Sequence, residues 1–286
     1  MIDYDAHSWW RHFFDIKGST LREIVVRVAA VVAWSIVVVA VHKLAAPVGV
    51  PATVHALVGV ALGLLLVFRT NSSYDRFWEG RKQWGGIVNE TRNLARQSRS
   101  WLKAAPELHR ELVLWTAAFP YAAMHSLRGA TGIGPLRGEL PAADVEAVIG
   151  AQHTPLAVSL RMSDRIAEAR RRGLISDQAH VALDANVQQL VDYLGACERI
   201  HRTPLPFAYV VHLRRALILY TTTLPFALVD PFGWFTVPAT FLIAYTFFGI
   251  EEIGVEIEDP FGEDDNDLPI ERICGTIYAN LKALVD

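Results

Sequence analysis

The stretch VGVPATVHALVGVALGLLLVF, from Val48 to Phe68, contains no Asp, Glu, Lys or Arg. A helix of that length rises about 30 Å, the thickness of the hydrocarbon core of a bilayer. The stretch VAAVVAWSIVVVAV, from Val28 to Val41, is equally free of charged residues. Together they predict two membrane-spanning helices, at roughly 24–45 and 49–69.

A second apolar block runs from Ala216 to Ile250, with Asp230 as its one formal charge, inside the sequence LVDPFG. Because Pro and Gly end helices, we expect two spans here, at roughly 213–229 and 233–250, joined by a tight turn. Buried helices of a soluble protein are the alternative. Four uncharged blocks in two pairs favour the membrane.

The composition supports this division. The chain has 286 residues, of which 52% are hydrophobic and 20% charged, and its mean hydropathy is +0.24. These values exclude disordered, collagen-like and disulfide-stapled classes. A net charge of -3 gives no basic excess for nucleic acid. Cys197 and Cys274 form no CxxC motif and are predicted to be reduced thiols.

Basic residues cluster before the first span, after the second and before the third, whereas the two intervening turns hold only Lys43. By the positive-inside rule, we expect a multi-pass membrane protein in which both termini and the middle of the chain face the cytoplasm. The predicted regions are 1–74 (an aromatic interfacial segment, MIDYDAHSWWRHFF, and two spans), 75–210 (a cytoplasmic helical body), 211–250 (two spans) and 251–286 (an acidic loop and a C-terminal helix).

The middle region shows helical periodicity and no strand-like alternation, so the predicted fold class is all-α. The glycine-rich run from Gly129 to Pro141 is its predicted loop. Two series of residues follow three- or four-residue steps: Phe77, Arg81, Trp84, Val88, Thr91 and Ala95, and Val181, Ala185, Gln188 and Asp192.

The second span carries two stripes. Gly59 and Gly63 form GxxxG, which permits close helix approach. Val60, Leu64 and Phe68 recur every four residues on an adjacent face. That triplet is either ordinary packing or a hydrophobic constriction formed where several copies of the helix surround an axis.

The imidazole of His55 lies within the same span. An ionisable group there faces a cavity or the bundle interior, or it forms a hydrogen bond to a neighbouring helix as a neutral ring. The sequence leaves both readings open.

An acidic segment follows the last span. Nine acids and no Lys or Arg lie between Glu251 and Asp267. The spacing excludes an EF-hand, but clustered carboxylates suit a hard cation such as Ca²⁺. A solvated acidic loop is the alternative, although Pro260, Gly262 and Pro269 constrain its backbone.

Three segments of the sequence resemble the prokaryotic branch of the bestrophin family. They are RTNSSYDRFWEGRKQWGGIVNETR (Arg69–Arg92), GACERIHRTPLPFAY (Gly195–Tyr209) and EIEDPFGEDDNDLP (Glu256–Pro269). The resemblance implies a homopentameric ion channel in the bacterial inner membrane. It implies one axial pore, lined by the second membrane helix and continued through the cytoplasmic helices. Membrane lipid and permeant inorganic ions are its implied partners, without nucleic acid or an organic cofactor.

The resemblance also implies roles for individual residues. Val60, Leu64 and Phe68 correspond to the pore neck, and Ile200 corresponds to a narrow cytoplasmic aperture. The acidic loop corresponds to a calcium clasp, in which Asp264 and Asp267 contribute side chains and the backbone near Asp259 contributes oxygen. Chloride is the expected ion, and a channel for monovalent cations such as sodium is the alternative.

Two other classes of function compete with a channel. A membrane-anchored enzyme could hold Mg²⁺ in the acidic loop near lipid phosphates, and a scaffold could assemble without conducting. The sequence contains no HExxH, GxSxG, P-loop or dinucleotide-binding motif. We therefore expect that the protein is not an enzyme.

Overall fold

A computed structural model describes residues 18–285 of the chain, together with His7, Trp10 and Asp15. Apart from those single residues, the opening segment predicted to lie at the membrane interface falls outside the described residues.

Within residues 18–285 the regular structure is helical, with connecting loops and without a strand, which confirms the all-α prediction. Two short 3₁₀ turns, Gly134–Gly138 and Gly233–Phe235, lie between helices. In chain order the helices are α1 (Leu21–Leu44), α2 (Ala52–Trp101), α3 (Pro106–Leu127), α4 (Ala142–Ile149), α5 (Thr154–Arg171), α6 (Asp177–Arg202), α7 (Phe207–Phe232), α8 (Thr236–Glu256) and α9 (Ile270–Lys282).

The chain forms two compact units, and α2 contributes to both. Of the described residues, those up to 77, 204–259 and 264–267 form unit 1, and 78–203, 260–263 and 268–285 form unit 2.

In unit 1, α1 packs against α7 and α8, and α7 packs against α8. Arg214 of α7 pairs with Glu251 of α8, and Tyr220 lies 5.5 Å from the ring of Phe247. As residue numbers increase along α7, the numbers of their contact partners on α8 decrease, so the two helices form an antiparallel hairpin. The hydrophobic core of unit 1 contains Ile24, Val28, Val31, Leu62, Leu66, Leu213, Leu217, Tyr220, Leu224, Ala244 and Phe248.

Within the described part, three helical stretches are long and apolar enough to cross a membrane: Leu21–Leu44, Ala52–Trp101 and Phe207–Glu256. The last of them contains both arms of the hairpin. The sequence placed its turn at Asp230, but α7 continues through Pro231 and ends at Phe232. Gly233 makes the reversal with a φ of 52°, a left-handed conformation that glycine adopts readily.

The helix predicted at 49–69 is longer than expected. It starts at Ala52 and continues to Trp101 without interruption. Its second half follows the predicted periodicity of residues 77–95, and Trp84, Thr91 and Ala95 of that series are buried.

Unit 2 is built around α3, which is buried along most of its length and packs against α5, α6 and α9. Helix α6 begins at an N-cap, Ser176, whose hydroxyl accepts the Ala179 N–H at 3.2 Å. The sequence series from Val181 to Asp192 identified this helix but marked its exposed face. The buried residues are Leu183, Asn186, Val187, Leu190, Leu194, Cys197 and Ile200.

Two further expectations are met in unit 2. The glycine-rich run after α3 is a loop containing a 3₁₀ turn, and its glycines at 129, 132 and 134 have positive φ. Cys197 and Cys274 are free and buried.

Candidate functional site

The predicted neck residues form an exposed apolar stripe on α2. Val60 is 75% exposed, Leu64 55% and Phe68 54%, whereas Leu62 and Leu66 on the opposite side are 2% and 1% exposed. Packing inside one chain therefore does not account for the stripe. A surface that is apolar and uncovered in a single chain is available to other copies of the helix or to lipid.

The GxxxG pair behaves as two separate positions. A Cβ on Gly59 would lie 2.7 Å from the hydroxyl of Tyr220, so this glycine permits close approach of α7. No described residue outside the nearby turns of α2 lies within 4 Å of a Cβ on Gly63. The motif therefore explains one intrachain contact rather than a continuous close-packed groove.

His55 bonds to a neighbouring helix. Its Nε2 lies 3.0 Å from Thr223 Oγ1 and 3.3 Å from the carbonyl oxygen of Tyr220, and the His55 and Tyr220 rings stack at 5.0 Å. Since the Thr223 hydroxyl already donates to Leu219 O, its oxygen accepts from a protonated Nε2. Of the two alternatives left open by the sequence, the structure supports the hydrogen bond to a neighbouring helix.

Directly after the neck, Arg69 is buried in unit 1. Its side chain is 1% exposed, and its Nη2 donates to Glu258 Oε2 at 2.9 Å. The other Glu258 oxygen accepts the Leu205 N–H at 2.9 Å, and Arg76 donates to the Glu258 carbonyl at 3.0 Å. Gly254 makes room, because a Cβ there would lie 3.2 Å from Arg69 Cγ. Glu258 thus joins α2 to the segment before α7.

The acidic run divides by environment. Glu251 and Glu252 are buried, at 3% and 8% exposure, and both pair with Arg27. In contrast, Asp259 and Asp264 are exposed. The sequence alone did not distinguish these environments, because the arginines that pair with Glu251 and Glu252 lie far away in the chain.

Hydrogen bonds order the acidic loop. Asp267 Oδ2 accepts the Asp264 N–H at 2.7 Å, and the Asp267 N–H donates to Asp264 O at 3.0 Å. Asn266 donates to Glu256 Oε2 at 2.9 Å and to Gly18 O at 3.0 Å. The loop is therefore a shaped turn. Gly262 is not among the described glycines with a positive φ.

Asp267 is the one buried carboxylate among the three predicted calcium ligands, at 3% exposure. Burial raises the pKa of its carboxyl to about 6, and the charges of Asp264, Asp259 and Glu256 act in the same direction, whereas the Asp264 N–H opposes them. Within the described residues, no group of three or more His, Cys, Asp or Glu side chains is arranged to hold a metal ion. A calcium ion here would need backbone oxygens in addition to the carboxylates.

In unit 2, Arg128 holds the loop residues that belong to that unit. Its Nη2 donates to Gly262 O at 2.9 Å and its Nε to Phe261 O at 3.2 Å, while Nη1 pairs with Glu271 at 2.7 Å. Sequence reasoning missed this arginine, which stands alone at the end of a helix.

Ile200, the predicted aperture residue, lies near the end of α6 and is 7% exposed in the single chain. In this respect it differs from the exposed neck residues of α2.

The chain is similar to proteins of one known family along almost its whole length. The family described as "Bacterial/Fungal Bestrophin protein" matches residues 1–283. A Nostoc protein named voltage-dependent anion channel-forming protein is 38% identical over 280 residues, covering 96% of this chain and 91% of the relative. The Escherichia coli K12 protein of the same description is 32% identical over 288 residues, covering 100% and 94%.

A solved structure agrees with the described architecture. The crystal structure of a bacterial bestrophin homologue from Klebsiella pneumoniae has a TM-score of 0.86 and 33% identity, and the match covers 92% of this chain and 98% of that chain. The all-α fold, the match along the whole sequence and the relatives therefore agree: the chain is a member of the bestrophin family, in its bacterial and fungal branch.

Proposed function

We propose that five copies of this chain surround one axis and form an anion channel, with Val60, Leu64 and Phe68 of each copy forming a hydrophobic neck. The exposed stripe on α2 carries this proposal, because it is apolar, four-residue periodic and uncovered within one chain. A ring of such side chains hinders hydrated ions by dewetting without binding them, as a gate requires. The family is one of ion channels, and the protein is not an enzyme.

Chloride is the proposed ion, supported by relatives named as anion channel-forming proteins. An uncharged neck does not itself select the sign of charge, so a sodium channel is the competing proposal. Reversal potentials of the purified protein in a planar bilayer under a NaCl gradient distinguish the two. We expect the chloride potential. A shift to the sodium potential would reverse the assignment, and no flux under any ionic condition would favour a non-conducting scaffold.

The neck is tested by Leu64→Ala, with Val58→Ala as the matched control. Both residues are exposed apolar side chains of α2, at 55% and 45%, but they lie about 120° apart around the helix. We expect Leu64→Ala to raise conductance because the constriction widens, while Val58→Ala has no effect. Equal effects of the two variants, or none, would contradict the neck assignment. The oligomeric state is measured on the same samples by native mass spectrometry.

We further propose that Ile200 forms the cytoplasmic aperture. In a conducting channel, Ile200→Ala should change the relative permeability of large and small anions more than it changes the conductance of chloride. The neck variant provides the comparison. Unchanged permeability ratios would remove Ile200 from the pore.

We also propose four spans with both termini in the cytoplasm, supported by the positive-inside pattern and the α7–α8 hairpin. Because the native cysteines are buried, single cysteines can be introduced at Ala46, Trp234 and Gln178. A membrane-impermeant maleimide applied to intact spheroplasts should label the first two positions only. Labelling of Gln178→Cys from outside would invert the topology.

Calcium binding at the acidic loop is a separate proposal, with Asp264 and Asp267 as carboxylate ligands and backbone near Asp259. The turn and the buried Asp267 support it. When bound, the ion would supply charge compensation for these carboxylates. Calorimetric titration with Ca²⁺ should show binding that Asp264→Asn abolishes and the exposed neighbour control, Asp265→Asn, retains. Equal binding by both variants, or no binding by the native chain, would overturn the proposal.

A further inference from the structure

A cavity of about 240 Å³ opens between α1, α7 and α8 in unit 1. Two arginines and one buried glutamate form its polar side, and three apolar side chains form the rest. Its lining residues are Arg27, Arg214, Glu251, Leu217, Ile218 and Phe248. We call it the arginine cavity.

Two buried carboxylates hold the guanidinium groups in place. Arg27 Nη1 lies 2.7 Å from Glu252 Oε2 and 3.6 Å from Glu251 Oε2, and Arg214 Nε lies 3.1 Å from Glu251 Oε1. The side chains of Glu251 and Glu252 are 3% and 10% exposed, whereas those of Arg27 and Arg214 are 44% and 53% exposed. Each guanidinium has five N–H donors, and these bonds occupy only one nitrogen of each. The buried glutamates therefore fix the orientation of the two arginines, whose remaining N–H donors are exposed at the surface.

Exposed apolar residues occur in the cavity lining and next to it in the sequence. Val26, next to Arg27, is 74% exposed, and Ile218 and Leu219 of α7 are 56% and 65% exposed. In the sequence, Arg27 directly precedes the uncharged run that starts at Val28. The cavity thus lies where the apolar segments of the bundle begin, with a cationic side and an apolar floor and rim.

We propose that the arginine cavity binds the phosphate group of an anionic phospholipid. Arginine matches phosphate oxygens in a forked geometry, and basic pockets between membrane helices suit lipid head groups. The apolar rim favours a lipid over a free phosphate ion, because acyl chains can cover Ile218 and Leu219 while the head group meets the arginines. Because the two glutamates are buried whereas the two guanidinium groups are about half exposed, the surface that meets the lipid is cationic and favours an anionic head group over a zwitterionic one. This inference rests on the membrane placement proposed above.

The test measures lipid binding to the detergent-purified protein, so it is independent of conduction. Thermal unfolding and native mass spectrometry are recorded with added phosphatidylglycerol, phosphatidylcholine or inorganic phosphate. We expect phosphatidylglycerol to raise the unfolding temperature and to remain bound in the gas phase. Stabilisation by inorganic phosphate to the same extent would assign the cavity to soluble anions, and equal effects of the two lipids would remove the anionic specificity. Either result overturns the proposal.

Three variants localise the binding. Arg214→Gln should weaken phosphatidylglycerol binding by about ten-fold or more, because it removes charge-assisted hydrogen bonds. Ile218→Asp leaves both arginine–glutamate contacts intact, places a carboxylate at the mouth and should have the same effect. Arg137→Gln, at an arginine that is 66% exposed and paired with Glu146, is the control and should change nothing. Retained binding in Ile218→Asp would place the lipid elsewhere. Failure of the protein to fractionate with membranes would instead refute the membrane placement.

Discussion

The ion pair between the buried Arg69 and the partly buried Glu258 gives a prediction whose magnitude follows from the structure. Glu258→Gln replaces one carboxylate by an amide of nearly the same shape. The native carboxylate accepts from Arg69 Nη2 with one oxygen and from the Leu205 N–H with the other. Glutamine has a single acceptor oxygen, so one of these donors loses its partner, and the charge of a guanidinium that is 1% exposed is no longer compensated.

The expected loss of unfolding free energy is large because the bond to Glu258 is the one hydrogen bond that the structure describes for the Arg69 side chain. Its Nε and Nη1 are buried without a hydrogen-bond partner among the residues that the structure describes. Removing one member of a buried pair costs about 3–5 kcal/mol. The Arg137–Glu146 pair has the same 2.9 Å separation, but its side chains are 66% and 65% exposed. Glu146→Gln should therefore cost about 0–1 kcal/mol.

Unfolding temperatures of both variants, measured in the same detergent by intrinsic tryptophan fluorescence, test this difference. We expect Glu258→Gln to lower the unfolding temperature by on the order of 10 °C and Glu146→Gln by about 2 °C or less. The double variant Arg69→Met with Glu258→Gln should recover part of the loss, since it removes the uncompensated charge. Equal shifts for the two single variants would refute the reasoning, because burial would then not determine the cost. A double variant less stable than Glu258→Gln would show that packing dominates.

Further predictions concern unit 2. Gly86→Ala should destabilise the protein by about 1–3 kcal/mol, because the new Cβ would lie 2.5 Å from the ring of Tyr193. In thermal unfolding, the control Gly85→Ala should be neutral or slightly stabilising, because its Cβ would lie 3.6 Å from a flexible arginine side chain. Burial raises the pKa of both the Cys197 and Cys274 thiols to about 12, so neither should react with iodoacetamide at pH 8 until the protein is denatured. Rapid labelling of the folded protein, counted by intact mass, would contradict that burial.

The helical architecture was predictable because its signals are local. Runs without charge marked α1 and the α7–α8 hairpin, and the three- or four-residue period marked α2. The ends of helices were less predictable. The sequence predicted a turn at Asp230 and Pro231, but Pro231 lies within α7 and the chain reverses at Gly233. The chain therefore reverses at the residue with a left-handed conformation rather than at the first residue that disfavours a helix.

Which face of a helix is buried was predicted less well, because a three- or four-residue period groups residues on one face without showing whether that face is buried or exposed. On α2 the stripe of Val60, Leu64 and Phe68 proved to be exposed in one chain, and only the resemblance had favoured a pore over packing. On α6 the series from Val181 to Asp192 had the correct period but included polar residues, and it marks the exposed side. Long-range pairs were beyond prediction, as Arg27 and Glu252 are 225 residues apart.

The division of the acidic run also limits what the calcium proposal can use. Glu251 and Glu252 are committed to Arg27 and Arg214, and Glu258 is committed to Arg69. Removing Glu251 or Glu258 leaves an arginine without its partner, and removing Glu252 leaves Arg27 only its 3.6 Å contact with Glu251. Such variants therefore report on the fold even when they alter calcium binding. Only carboxylates outside those pairs can test the metal site cleanly. Among the proposed ligands, Asp264 is exposed and touches the turn mainly through its backbone, so Asp264→Asn separates loss of a ligand from loss of the structure.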